Sequence, residues 1–421
     1  MSERLFGVIG SGTMGAGIAH AAAAAGFVVR TLDTDCKLVE AGYARIKDRL
    51  DRRVAKGKLP RGERDATLAR LHVAEGMDCF KDAEVVVEAV SEDLALKRKI
   101  FAELDAVVSD RTLLATNTSS LSVAKIAKGL THADRLIGMH FFNPAPVMKL
   151  VELVCAPKTG DQAVVDARAV CAKLEKTAVK VTDSPGFIGN RVNRPFYLEA
   201  LNLLEQGEAD ICTIDTAMRD VGGFRMGPFE LLDLIGLDIN LRVTETVYND
   251  FDKPQRFKPN AIQQKLVADG HLGRKSGRGF YDHSNSDPTP AYEARLKDTS
   301  SWQPTEALKQ FAAVLDKSPD RAMWIFARVF MAVMNEGALV ADSIALPRDV
   351  NLTMELGFNY PEGPLATADH VGLEVMQQLL ADFYQESGQS ERYKANPLLD
   401  KRVADGDIGE AAAHGFLYHA L

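Results

Sequence analysis

The sequence predicts an α/β chain: an N-terminal domain built on a mostly parallel sheet, followed by two all-helical domains. Three observations carry that expectation. A glycine-rich turn joins an apolar run to a helix-like run close to the N-terminus. Apolar runs then alternate with helical stretches to about residue 182, the pattern of a sheet covered by helices. Beyond about residue 184 helical periodicity takes over, and much of it recurs later in the chain. With 421 residues there is enough chain for two or three domains, each with its own core. The formal net charge of -8 argues against a nucleic-acid partner, because nucleic-acid binders carry a large basic face. Five cysteines (Cys36, Cys79, Cys155, Cys171, Cys212) are scattered without a CxxC pair. That suits a reducing cytoplasm and supports neither a metal site nor a disulfide framework. Neither a leader-like segment nor a run of about 18 apolar residues is present, so a soluble, unprocessed, cytoplasmic protein without a membrane partner is expected.

The first apolar run, residues 4–10 (RLFGVIG), is too continuous for a half-exposed strand and suits a buried parallel one. Gly10-Ser11-Gly12-Thr13-Met14-Gly15 comes next, then a helix-like stretch over 16–25 and a second apolar run over 27–32 that ends in Asp33. This is GxGxxG in a complete strand–helix–strand context, the mark of a Rossmann-like dinucleotide-binding domain. Gly10, Gly12 and Gly15 let the backbone turn tightly and approach a pyrophosphate at the helix start, where Thr13 and Met14 lie. Asp33 is placed to accept hydrogen bonds from a ribose 2′-hydroxyl. Thr34 and Asp35 offer no arginine for a 2′-phosphate, so NAD is expected over NADP.

Residues 37–72 are charged and helix-forming, broken at Lys56-Gly57-Lys58-Leu59-Pro60, which suggests a helical hairpin. Its basic residues, Arg53 and Lys56 among them, suit either a solvated surface or a landing site for a phosphorylated, nucleotide-bearing acyl carrier. Further buried strands at 84–90 (EVVVEAV) and 112–116 (TLLAT) each deliver polar residues past their carboxyl ends, where open α/β sheets bind ligands. These are Glu92 and Lys97 after the first, and Asn117, Thr118 and Ser119 after the second. Ser119 suits a site on the same rim as His140; Ser122 suits a helix cap.

His140 ends the apolar run 135–139, and Pro144 and Pro146 bend the chain back toward a second run that delivers Glu152. A histidine held by a carboxylate is a usual proton acceptor at neutral pH, because the anion fixes the tautomer and stabilises the imidazolium. A buried histidine bonded to backbone is the plainer alternative. After about residue 184 the pattern turns helical, with Asn190 at the opening of the first helix, where an asparagine can also be a plain cap. Residues 283–305 are polar and Pro/Ser-rich, as in a linker. The helical part then recurs: Gly227-Pro228, Gly236-Leu237-Asp238 and Val267-Ala268-Asp269-Gly270 are echoed by Gly363-Pro364, Gly372-Leu373-Glu374 and Val403-Ala404-Asp405-Gly406. Aligning Arg191 with Arg328 and Glu199 with Glu336 puts Ala327 where Asn190 stands, so the second copy is expected to be structural. The expected layout is 1–184, 185–283, a linker over 284–317, and 318–421.

The segments IGSGTMGAGIA (9–19), VVVEAVSEDLALK (85–97), TNTSSLS (116–122), HFFNPAPVMKLVE (140–152), DSPGFIGNR (183–191) and MGPFELLDLIGLD (226–238) resemble the 3-hydroxyacyl-CoA dehydrogenases in order and spacing. The duplicated C-terminal part is most similar to the 3-hydroxyadipyl-CoA and 3-hydroxybutyryl-CoA members, of which the former serve bacterial phenylacetate breakdown. The resemblance implies His140 as catalytic base, Glu152 as the residue that orients it, and Ser119 and Asn190 in contact with the substrate oxygen. It implies Glu92 and Lys97 beside NAD, and the (3S) configuration for the substrate. Asn143, in the same HFFNP motif, is expected at the substrate, and Arg53 and Lys56 at its CoA part. No metal is expected. A pseudo-dimeric monomer is favoured over a homodimer. A dehydrogenase of a free hydroxy acid (L-gulonate type) and a non-catalytic NAD-binding protein are the competing readings.

Overall fold

The structure, a computed structural model, describes residues 4–417. These residues form two compact units that part between Phe187 and Ile188.

The first unit is an eight-stranded sheet in the order β3-β2-β1-β4-β5-β6-β7-β8. Its strands are β1 (Leu5–Ile9), β2 (Val28–Leu32), β3 (Leu71–Val73), β4 (Val85–Glu88), β5 (Leu113–Thr116), β6 (Leu136–Phe141), β7 (Leu150–Cys155) and β8 (Thr177–Thr182). β1 to β6 run parallel, β7 is antiparallel to β6, and β8 runs with β7. Helices α1 (Thr13–Ala24), α2 (Cys36–Ala55), α3 (Arg61–Ala69), α4 (Leu94–Val107), α5 (Val123–Ile126) and α6 (Asp161–Lys173) complete it. Phe6, Val8, Val85, Val87 and Ile137 from the strands share one core with Ile18 and Ala22 of α1 and Val170 of α6. Strand order reverses between β1 and β4, which opens a crevice at their carboxyl ends.

The charged stretch folds as the expected helical hairpin, α2 and α3, around the Lys56–Pro60 turn. Directly after α3 the chain forms β3, a three-residue edge strand absent from the sequence expectation. The division expected near 184 falls three residues later. The Asp183 carboxylate accepts from the Ser122 hydroxyl and the Ala124 amide, both at 2.8 Å, which ties 183 to the sheet unit. Ser122 also caps α5, as expected.

His20 of α1 is 3 % exposed, and its Nδ1 lacks a partner. Burial above all, then the Arg49 and Arg53 guanidiniums, push its pKa down to about 4. Below pH ~6.5 the unfolded chain takes up a proton that the folded imidazole refuses, so stability falls as pH drops from ~6.5 toward 4. The whole window is worth about 3 kcal/mol. We expect His20→Gln to flatten this acid limb; thermal melts of both proteins at pH 7 and pH 4.5 check it, and parallel losses would refute it.

The second unit is helical, with α7 (Gly189–Val192), α8 (Arg194–Glu205), α9 (Ile211–Asp220), α10 (Pro228–Ile235), α11 (Leu237–Asp250) and α12 (Ala261–Ala268) in the first copy. After α13 (Glu306–Val314) the second copy repeats the order: α14 (Arg321–Ser343), α15 (Pro347–Phe358), α16 (Pro364–Val371), α17 (Leu373–Glu386) and α18 (Pro397–Asp405). α13 lies inside the stretch expected to be linker. Thr305 caps it, and Ala307, Leu308, Phe311 and Ala312 form a buried face. The copies differ where α7 and α8 break at Asn193 while α14 runs unbroken for 23 residues. Pro195, in the first turn of α8, has no N–H to continue a helix from α7; its counterpart, Ala332, has one. By length and composition α14 could cross a membrane, but 94 % of its apolar window is buried in the unit.

The two copies are bound by reciprocal ion pairs. Glu336 of the second copy accepts from Arg191 Nε (2.6 Å) and Arg256 Nε (3.0 Å) of the first. Glu199 of the first accepts from Arg328 (2.7 Å) and Arg392 (3.4 Å) of the second. Both carboxylates are at most 2 % exposed. The equivalences Arg191/Arg328 and Glu199/Glu336 drawn from sequence thus reappear as a pseudo-twofold exchange of partners.

Candidate active site and cofactor cradle

β6 and β7 form an antiparallel pair with His140 directly opposite Glu152. Proline forces the intervening turn, and buried Lys176 pins it by donating to the Ala145 and Met148 carbonyls, each at 2.7 Å. His140 Nδ1 lies 2.6 Å from Glu152 Oε2, and the glutamate side chain is fully buried. The rings of Phe142 and Phe187 stand 4.8 and 5.6 Å from the imidazole. A charge developed on that ring would be shielded from water on those sides and would meet a fixed anion at Nδ1. The opposite nitrogen, Nε2, is then the one that can exchange a proton.

β5 and β6 are parallel neighbours, with Thr116 beside Gly138, so Ser119 and His140 leave the sheet at the same carboxyl edge. Asn117 joins the two elements: its Oδ1 accepts from the Phe141 amide at 2.9 Å. Glu92 organises the next turn. Its Oε1 accepts from Thr118 Oγ1 (2.6 Å) and from the Ser119 and Ser120 amides (2.9 and 3.1 Å). Burial alone would raise the Glu92 carboxyl, but the Lys97 ammonium and these donors hold it below the usual carboxylate range. Lys97, only 1 % exposed, bridges Glu92 (3.3 Å) to Glu88 (2.7 Å). Glu88 also accepts from Thr116 Oγ1 and the Val90 amide. Sequence reasoning passed over Glu88, although an acid inside the apolar run VVVEAV is itself the signal.

The glycine turn fits a dinucleotide. At Gly10, with φ of 98°, a Cβ would meet the Ala89 carbonyl oxygen at 2.7 Å; at Gly15 it would lie 1.9 Å from the Gly10 oxygen. A Cβ at Gly12 would meet nothing within 4 Å, so the backbone there faces open space. Thr13 opens α1 and is exposed, whereas Met14 packs its side chain against the core and offers its amide. A cleft of about 420 Å3 lies against this turn, lined also by Asp33, Val90 and Leu96. Asp33 accepts from the Ser11 amide and hydroxyl at 2.7 and 2.6 Å. Although burial works against it, these bonds and those from Thr34 keep its carboxyl below the usual range. Asn143 stands exposed in the turn after β6, and Asn190 lies in the helical unit, in the first turn of α7. Arg53 and Lys56 sit exposed at the carboxyl end of α2. Thus His140 meets Glu152, and Ser119 meets Glu92 and through it Lys97.

Comparison with known proteins agrees with this architecture. Residues 6–184 match the family model described as 3-hydroxyacyl-CoA dehydrogenase, NAD binding domain. Residues 186–283 and 324–419 both match the model for that family's C-terminal domain. A 3-hydroxyadipyl-CoA dehydrogenase of Escherichia coli is 36 % identical over 94 % of this chain and 96 % of its own. A probable 3-hydroxybutyryl-CoA dehydrogenase of Bacillus subtilis is 41 % identical over 66 % of this chain and 96 % of its own. The crystal structure of a 3-hydroxybutyryl-CoA dehydrogenase from Escherichia coli superposes with a TM-score of 0.85 at 34 % identity, covering 96 % of this chain and 99 % of that one. With a glycine cradle built for a dinucleotide and both family domains in order, the chain belongs to the NAD-dependent 3-hydroxyacyl-CoA dehydrogenases.

Proposed function

We propose that the chain oxidises the 3-hydroxyl of a (3S)-3-hydroxyacyl-CoA to the 3-ketone, with His140 as general base. The 2.6 Å contact between His140 Nδ1 and the buried Glu152 carboxylate carries this reading. NAD, when bound, accepts the hydride that leaves C3. His140 Nε2 takes the hydroxyl proton, and the C3–O bond becomes a double bond. Glu152 holds the tautomer that leaves Nε2 free to accept and steadies the imidazolium that results. The Ser119 hydroxyl donates to the substrate oxygen, with Asn143 near the same group, and the family resemblance implies Asn190 of the helical unit as a further substrate contact. Glu92, braced by Lys97, keeps the Ser119 turn in place. Exposed Arg53 and Lys56 face the phosphates of CoA.

The six-carbon dicarboxylic and the four-carbon substrates remain the two candidates, because relatives named for each resemble the chain. The five cysteines, all free thiols, suit a reducing, cytoplasmic compartment. The reciprocal pairs within the helical unit favour a pseudo-dimeric monomer. Absorbance at 340 nm tests the activity: NADH should form with NAD and a (3S)-3-hydroxyacyl-CoA and not with the free hydroxy acid. Equal rates on both would favour a free-acid dehydrogenase, and no rate on either would favour a non-catalytic protein.

A further inference from the structure

We propose that Arg194 is a positioning residue that holds Asn190 in place for the substrate. The inference rests on the reading of Asn190 as a substrate contact and adds a residue to it. Arg194 is 3 % exposed, and no carboxylate pairs with its guanidinium among the described residues. Its Nε donates to the Asn190 carbonyl at 2.9 Å. Its Nη1 donates to the Thr244 hydroxyl at 3.2 Å and lies 3.4 Å from the Asn240 carbonyl, both on α11. The Tyr197 ring faces the guanidinium at 5.1 Å. A charge held out of water without a counter-ion is costly, and burial pushes this guanidinium below its usual range. Gln263 extends the cluster: its Nε2 donates to the Asn240 side chain at 3.2 Å, while its Oε1 is buried without a partner.

The place of Arg194 in the chain explains what it has to hold. α7 is a single four-residue turn, too short to be stable by its own hydrogen bonds. Pro195 cannot continue the ladder, so the turn that carries Asn190 ends at Asn193. Arg194 ties that turn sideways to α11 instead. The second copy shows that the fold does not require such a cluster. With Arg191 set on Arg328 and Gly236 on Gly372, the residues Asn190, Arg194, Asn240, Thr244 and Gln263 become Ala327, Met331, Met376, Leu380 and Leu399. All five replacements are at most 2 % exposed, and α14 runs unbroken through the first two. The same positions thus pack with apolar side chains wherever no asparagine has to be placed. A buried, unpaired guanidinium occurs only in the copy that presents Asn190.

Arg194→Met tests this in the full chain. Its kcat on a (3S)-3-hydroxyacyl-CoA should fall roughly 10- to 100-fold, the scale of a small misplacement beside the reacting atoms. NADH binding, which belongs to the glycine turn of the other unit, should stay within about threefold. The thermal midpoint should hold or rise, since an apolar replacement for a buried charge is often neutral or stabilising. In an Asn190→Ala background the same substitution should change kcat by less than about twofold, because residues that act through one contact do not add. A parental kcat in Arg194→Met, or an equal further fall in the Asn190→Ala background, overturns the proposal. If Arg194→Met melts low, the quadruple variant Arg194→Met/Asn240→Met/Thr244→Leu/Gln263→Leu, packed as the second copy is, decides. A parental midpoint with the same loss of kcat upholds the proposal; a low midpoint there too makes the cluster a prop of the fold and overturns it. A parental kcat in Asn190→Ala alone sinks the substrate contact and this inference with it, and leaves the His140 chemistry standing.

Discussion

His140→Gln is expected to lose on the order of 10²–10⁴ in kcat, the range for removal of a positioned general base. Glutamine can still reach the Glu152 carboxylate and fill much of the ring's volume, so the sheet should survive. It cannot carry the proton released from the 3-hydroxyl. NAD binding, which depends on the glycine turn and Asp33 on other strands, should stay within about threefold of the parent. Stopped-flow turnover beside fluorescence titration of NADH separates the two readouts. A variant with near-normal kcat would sink the assignment of His140, whatever the fate of KM.

Glu336→Gln is expected to destabilise the helical unit by about 3–5 kcal/mol, the cost of leaving buried charge uncompensated. The substitution keeps the shape but removes the anion that Arg191 and Arg256 share. For a unit of this size that corresponds to a fall of roughly 10 °C in Tm. Replacing all three groups with apolar ones of similar volume (Arg191→Met, Arg256→Met, Glu336→Leu) should recover most of the loss, since desolvation offsets most of what such pairs gain. Calorimetry on the single and triple variants reads this, with sedimentation to show that each keeps the parent's assembly state. A Glu336→Gln protein within ~0.5 kcal/mol of the parent would show that water already screens the cluster.

The parts of the fold that were legible in the sequence are those where one residue type has little choice. Gly10 and Gly15 each abut a carbonyl that a Cβ would strike, so the turn announces itself. The His140–Glu152 contact was legible because two prolines fix a short reversal and an antiparallel register then pairs the residues. β3 was not, since three residues on a sheet edge carry no periodicity and adjoin the end of α3. α13 hid just past a Pro/Ser-rich stretch because its buried face takes only one side of a nine-residue helix. Glu88 was visible yet unread: its partner, Lys97, is nine residues away and meets it only through the turn from β4 into α4. The resemblance implies a place beside the cofactor for Glu92; its bonds to Thr118, Ser119 and Ser120 make it in addition the organiser of the neighbouring loop.

The exchange of partners across the helical unit has a consequence for how its two halves can change. Because one polypeptide carries both, their encounter is a fixed local event that dilution of the protein cannot weaken. In the second half alanine stands at 327 and from 411 to 413. What it keeps is the grip: Arg328, Glu336 and Arg392 still reach across to the first half. It serves as a permanently attached brace, so the half that bears Asn190 meets its counterpart at any cellular abundance.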